Sequence, residues 1–215
     1  MVNKLPLRDK RWGYLNKLFL AAGIASAEAD ADALCRAFGN MRQMIENDSY
    51  TLVAKSGCSK GAAELLRLTC ALNSRRVTDK YKVGKKYTDA DMREYAKAFY
   101  YGAPYECIAC ILFDRAGGFI SAEYVSDGVV SSASFLPRKL VDVAARMGAA
   151  SVTLMHNHPL GTPEPSEADI KATVQAISVL STVGLTLRAH YVVAGFEVSD
   201  CMDYLGAALP NKNND

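Results

Sequence analysis

Histidine is scarce in this chain. There are three in 215 residues, so any imidazole chemistry has to run through His156, His158 or His190. A charge excess of either sign is also missing: the net charge is +2, which removes bulk electrostatics as an argument for a nucleic-acid or membrane-surface partner. No apolar run approaches the roughly 18 residues that a bilayer span needs. Leu18 to Ala25 has the look of a short secretory core, but Asp9 ahead of it and Lys17 at its edge count against that, and the expected location is cytoplasmic. A second CxxC pair is lacking as well, so Cys107-Ile-Ala-Cys110 has no partner for a four-thiolate zinc site. That pair falls in an expected strand, where i and i+3 face opposite sides. The six cysteines mostly sit in apolar patterns, where a free thiol acts as a small hydrophobe.

What is present is enough apolar sequence, 50% of the chain, to build one large core or two small ones. The first part reads as helices: Arg11–Ala22 ended by Gly23, Ala27–Phe38 with Ser26 as cap, Met41–Ile45, a turn or two from Asp48 or Ser49, and a helix to about Leu72. Thr88 or Asp89 starts another through Met92, Tyr95, Ala96 and Phe99, which Gly102 and Pro104 stop. The pattern then switches. Cys107–Phe113 and Phe119–Val125 form a hairpin, Pro137 opens a helix, Ser151–Met155 is a short strand, Ser166 starts a helix to about Val183, and Leu185–Ala194 is a further strand. This is an α/β order. The expected division is a helical domain at 1–79, a linker at 80–91 and an α/β domain at 92–215.

The linker region is basic: Arg75, Arg76, Lys80, Lys82, Lys85 and Lys86 face only Asp79. A solvated surface is the preferred reading, and weak, non-specific DNA binding is the most these residues support.

The most informative stretch follows the short strand: Met155-His156-Asn157-His158-Pro159-Leu160-Gly161-Thr162-Pro163-Glu164-Pro165-Ser166-Glu167-Ala168-Asp169. Residues i and i+2 of a strand share a face, so the two imidazoles converge. Ser166 is placed to cap a helix with Asp169 in its first turn. Two neutral imidazoles and a carboxylate make a three-ligand set that Zn²⁺ accepts, with the fourth position open as in catalytic sites.

His156, Asn157, His158, Pro159, Gly161, Pro165, Ser166 and Asp169 resemble the signature of the RadC family within the JAB1/MPN/Mov34 (JAMM) metalloproteins. The resemblance covers about 99–208 well and 8–75 loosely. It implies a JAMM/MPN-type α/β sandwich, with cytidine-deaminase-like layering, after a small all-α domain like a helix-hairpin-helix. It also implies one zinc per chain on His156, His158 and Asp169, and hydrolysis of a peptide or isopeptide bond. A Glu acts as general base in such sites, and Glu123, in Ala122-Glu123-Tyr124-Val125-Ser126-Asp127-Gly128, is the best match. Glu106 is the second candidate, while Glu164 and Glu167 lie too near the loop and helix start. Ser166 is implied to help hold the oxyanion, and His190 matches a family histidine close to the site. The alternative is a DNA-associated, repair-linked protein whose metal domain acts on or grips nucleic acid or a partner. Its hairpin would be Lys55 to Leu66, where alignment on Ala62-Ala63 puts Ser56 and Cys58 at the expected glycines. A helical cap that binds no DNA fits that turn equally well.

Overall fold

The computed structural model describes residues 10–127 and 135–208. Two compact units emerge. One holds the residues up to Asn73 with Tyr101–Pro104, and the other holds Ser74–Tyr100 with the chain from Tyr105 onward.

The first unit is built from α1 (Lys10–Ala21), α2 (Ala27–Ala37), α3 (Met41–Ile45), α4 (Ser49–Ser56) and most of α5 (Lys60–Thr78). Leu15, Phe19, Leu34, Met44, Leu52 and Leu66 fill its core. Gly23 ends α1 at φ +74, with Ile24 N–H closing on Phe19 O and Gly23 N–H on Leu20 O, the paired bonds of a left-handed helix stop. Asn40 and Asp48 cap α3 and α4. Ser26 does not cap α2 with its side chain. Its hydroxyl donates instead to Asp30 Oδ2 at 2.7 Å. Helix α5 runs beyond the expected end at Leu72, and no breaker intervenes before Thr78.

The second unit carries α6 (Asp89–Phe99), β1 (Cys107–Phe113), β2 (Phe119–Asp127), α7 (Phe135–Met147), β3 (Ser151–Asn157), α8 (Glu167–Thr182), β4 (Thr186–Ala194) and β5 (Glu197–Asp200). A 3₁₀ turn at Cys201–Tyr204 and α9 (Leu205–Ala208) follow. The fold is mixed α/β. The sheet order is β2-β1-β3-β4-β5, with β3 and β4 parallel and the other neighbours antiparallel. Alternation sorts its residues. Ile108, Cys110, Leu112, Val152 and Leu154 bury against Leu140, Ala144, Ala176 and Leu180 of α7 and α8, each large side chain contributing about 1.5–3 kcal/mol. Tyr191 faces α6, bonding Asp89 beneath the Arg93 guanidinium, 5.0 Å from its ring. A register shift in β4 near Arg188 turns Leu187 and His190 toward α8.

The division at Asn73 falls earlier than the expected boundary at 79, and residues 80–91 are fastened to the second unit. Gly84 N–H and Lys85 O pair with Phe119, both at 2.8 Å. Tyr81 packs edge-on to Tyr95, and Tyr87 to Phe119. Charge-rich composition hid the two tyrosines that do this.

Between α4 and α5 lies the turn expected within Lys55 to Leu66. Gly57, at φ +75, is the left-handed cap of α4, which leaves Ser59 at the start of α5. The Ser59 N–H and hydroxyl both donate to Asp30, each at 2.7 Å. An internal carboxylate holds that helix start.

Candidate metal centre

The site begins with β3. His156 is its penultimate residue, and His158 lies just past its end. Yet His158 N–H still bonds Val193 O at 2.8 Å, so the pleat continues and both rings emerge on the α8 side. Their Nε2 atoms are 3.1 Å apart. His158 Nδ1 lies 3.0 Å from Thr162 O. A carbonyl only accepts, so Nδ1 carries the hydrogen and a neutral His158 turns its Nε2 lone pair to the shared point. In the turn that makes this contact a Cβ at Gly161 would stand 3.1 Å from His158 Cβ, a tight approach. Leu160 adopts φ +58 in the same turn.

Asp169 reaches the point from the first turn of α8. A reciprocal cap fixes it: Ser166 Oγ accepts from Asp169 N–H at 3.2 Å. Asp169 Oδ2 accepts from Ser166 N–H at 2.8 Å and from its hydroxyl at 2.6 Å. Oδ1 is left facing His156 Nε2 at 3.3 Å, with Oδ2 3.8 Å from His158 Nε2. Burial raises the Asp169 carboxyl, but the neighbouring His156 and the Ser166 bonds outweigh it and hold it well below the usual carboxylate range.

A second carboxylate belongs here. The ligand atoms of Glu106, His156 and His158 all lie within 4.8 Å of one another. Glu106 immediately precedes β1, and Ile108 pairs with His156 across the strands. Asn157, between the histidines, fixes that approach: Cys107 N–H donates to its Oδ1 at 2.9 Å, and its Nδ2 donates to Tyr105 O at 3.0 Å. Glu123 is not brought to the histidines. It pairs with Cys110, which pairs in turn with Leu154, so it sits two strand spacings, about 10 Å, from β3. A Glu inside a strand pattern drew the sequence argument; the one standing just outside the strand is the one that arrives.

Behind His156 lies His190, fully buried on β4, with Nε2 3.0 Å from His156 Nδ1. Its own Nδ1 is 2.6 Å from Thr173 Oγ1, and its backbone N–H is held by Asp200 Oδ1 at 3.0 Å. Burial, then the neighbouring His156, keeps the His190 ring neutral. The cysteines are free thiols.

Two imidazole nitrogens 3.1 Å apart, with carboxylate oxygens 3.3 Å from one and 3.8 Å from the other, lie near the edge of a tetrahedron around Zn²⁺, about 3.3 Å for ligand bonds near 2.0–2.1 Å. Convergent acceptors repel one another unless a cation stands between them. The donor set therefore fits a zinc ion, and more generally a divalent metal that favours nitrogen and oxygen ligands.

A family model described as a RadC-like JAB domain matches residues 87–201, the span that carries all of these groups. The chain belongs to the RadC family. Among its relatives, a UPF0758 protein of Shewanella woodyi is 32% identical over 77% of this chain and 74% of its own length. UPF0758 proteins of Pseudomonas fluorescens and Stutzerimonas stutzeri are 28% and 27% identical, covering 82% and 87% of the chain and 80% and 85% of the relatives. The RadC-family α/β unit thus accounts for the whole candidate site. Among the described residues no helix is long and apolar enough to cross a membrane.

Proposed function

We propose that this chain is a zinc-dependent hydrolase of peptide or isopeptide bonds, with His156, His158 and Asp169 holding the metal and Glu106 moving the proton. The observation that carries the reading is the approach of His156 Nε2 to His158 Nε2 at 3.1 Å and of the Asp169 carboxylate to both, 3.3 Å from the first and 3.8 Å from the second, with the Glu106 carboxylate within 4.8 Å of the histidine nitrogens. The strand order, with α6 on one face and α7 and α8 on the other, supports the JAMM-type sandwich with cytidine-deaminase-like layering.

Zinc bound there supplies a Lewis acid that polarises a carbonyl oxygen and brings the pKa of water to about 7. Glu106 takes the proton of the attacking water and returns it to the departing amine, work that contributes about 10²–10⁴ in rate. Asn157 orients it through the backbone on either side. Ser166 acts first on Asp169: its single hydroxyl hydrogen is given to Oδ2, so serving an oxyanion would mean giving up that bond. The DNA-linked alternative finds less support, since Asp30 occupies the hairpin amide that a phosphate would need.

The test is hydrolysis of a peptide library by the zinc-loaded protein, with and without chelator. Glu106→Gln should keep the metal and lose turnover. A variant that hydrolyses at the native rate would overturn the assignment of the base.

A further inference from the structure

Four groups in a row lead from the candidate metal point into the core: His156 Nδ1 to His190 Nε2 at 3.0 Å, His190 Nδ1 to Thr173 Oγ1 at 2.6 Å, and Thr173 Oγ1 to Asp169 O at 2.6 Å. The last link sets the direction of all the others. The Asp169 carbonyl only accepts, so it takes the one hydrogen Thr173 has. The Thr173 oxygen is left with lone pairs, one of which accepts from His190 Nδ1–H. With its hydrogen on Nδ1, neutral His190 presents a bare Nε2, which accepts from His156 Nδ1–H. His156 is thereby obliged to turn Nε2, and not Nδ1, to His158 and Asp169.

The last two groups of the row belong to one element, α8. Thr173 lies one helical turn beyond Asp169 on α8, and its bond to the Asp169 carbonyl ties the relay to the residue that supplies the carboxylate. We propose that His190 and Thr173 are positioning residues that select the metal-binding tautomer of His156 through a one-way hydrogen-bond relay anchored on the Asp169 carbonyl. The metal half of this rests on the hydrolase reading above; the tautomer half does not. Thr173 is completely buried, so its hydroxyl has no solvent partner to exchange with and the direction is fixed by the protein alone.

The experiment has two arms. In the first, long-range proton–nitrogen spectra of metal-free protein labelled at histidine read the tautomers directly. The relay predicts His190 with hydrogen on Nδ1 and a bare Nε2. Hydrogen on His190 Nε2 would overturn it, and no variant is needed for this arm. In the second, zinc affinity is measured by competition with a chromophoric chelator for native protein, Thr173→Val and Thr173→Ser. Val keeps the shape and removes the acceptor, so affinity should fall by roughly 10- to 100-fold, while Ser should restore it. Native affinity in Thr173→Val, with the His190 signals unchanged, would overturn the proposal. If the native protein took up no zinc, the metal reading would fall, and the His190 tautomer would still decide the relay.

Discussion

The side-chain amide of Asn157 brackets Glu106, accepting from Cys107 N–H at 2.9 Å and donating to Tyr105 O at 3.0 Å. Asn157 is buried, and its amide serves one backbone group on either side of Glu106. The residue between the two histidines thus steers the carboxylate without touching its charge. Asn157→Leu should leave zinc content intact and lower turnover, because Glu106 loses its fixed approach. Unpairing the two backbone groups should also cost about 2 kcal/mol of stability. Metal analysis beside kinetics and denaturant unfolding checks all three, and native turnover would show that the bracket is only structural.

Glu106 and Glu123 can be told apart by one pair of variants. Glu106→Gln should reduce turnover of any peptide substrate by roughly 10²–10⁴ at native zinc content. Glu123→Gln, two strands away, should stay within a few-fold of native. The reverse pattern would restore Glu123 as the base.

Asp30 should matter for stability and for acid sensitivity. Burial raises its carboxyl, but the Ser59 amide, the Ser59 hydroxyl and the Ser26 hydroxyl outweigh that and hold it below the ordinary value. A carboxyl depressed in the folded state stabilises the fold above its unfolded pKa, about 3.9, and that contribution is lost as pH falls through the lower, folded value. Asp30→Ala should cost about 3 kcal/mol at neutral pH. The difference between native and variant should shrink below about pH 4. Equal stability of the two proteins at pH 7 would remove Asp30 as the anchor of α5.

DNA binding should be weak, independent of sequence and lost with moderate salt, carried by Arg75, Arg76, Lys80, Lys82, Lys85 and Lys86. Arg75 already pairs with Asp79 at 2.9 Å, which tempers even this. Fluorescence anisotropy across a salt series measures it. Tight binding that survives salt and vanishes in Lys60→Ala would mean the hairpin works despite Asp30.

Much of this was legible in the sequence because it follows local rules. The i, i+2 spacing of His156 and His158, the Ser166 cap with Asp169 three residues on, and the helix-to-strand switch after Pro104 all depend on neighbours in the chain. What escaped depends on partners far away. Glu106 is a loop residue until the β1–β3 register carries it to His156, 50 positions later. Tyr81 and Tyr87 look like polar linker residues until Phe119 and Tyr95 cover them. Thr173 reads as an ordinary helix position until the register shift in β4 turns His190 toward it. The Ser59 amide reads as open until Asp30, 29 positions earlier in α2, is seen to occupy it.

The measurement that bears most directly on the central claim is metal content after purification and reloading with zinc, by elemental analysis, for native protein, His156→Ala and Glu106→Gln. The account predicts about one zinc per chain in the native protein and in Glu106→Gln, and none retained in His156→Ala. Full zinc in His156→Ala, or a native protein that takes up no zinc, would contradict it.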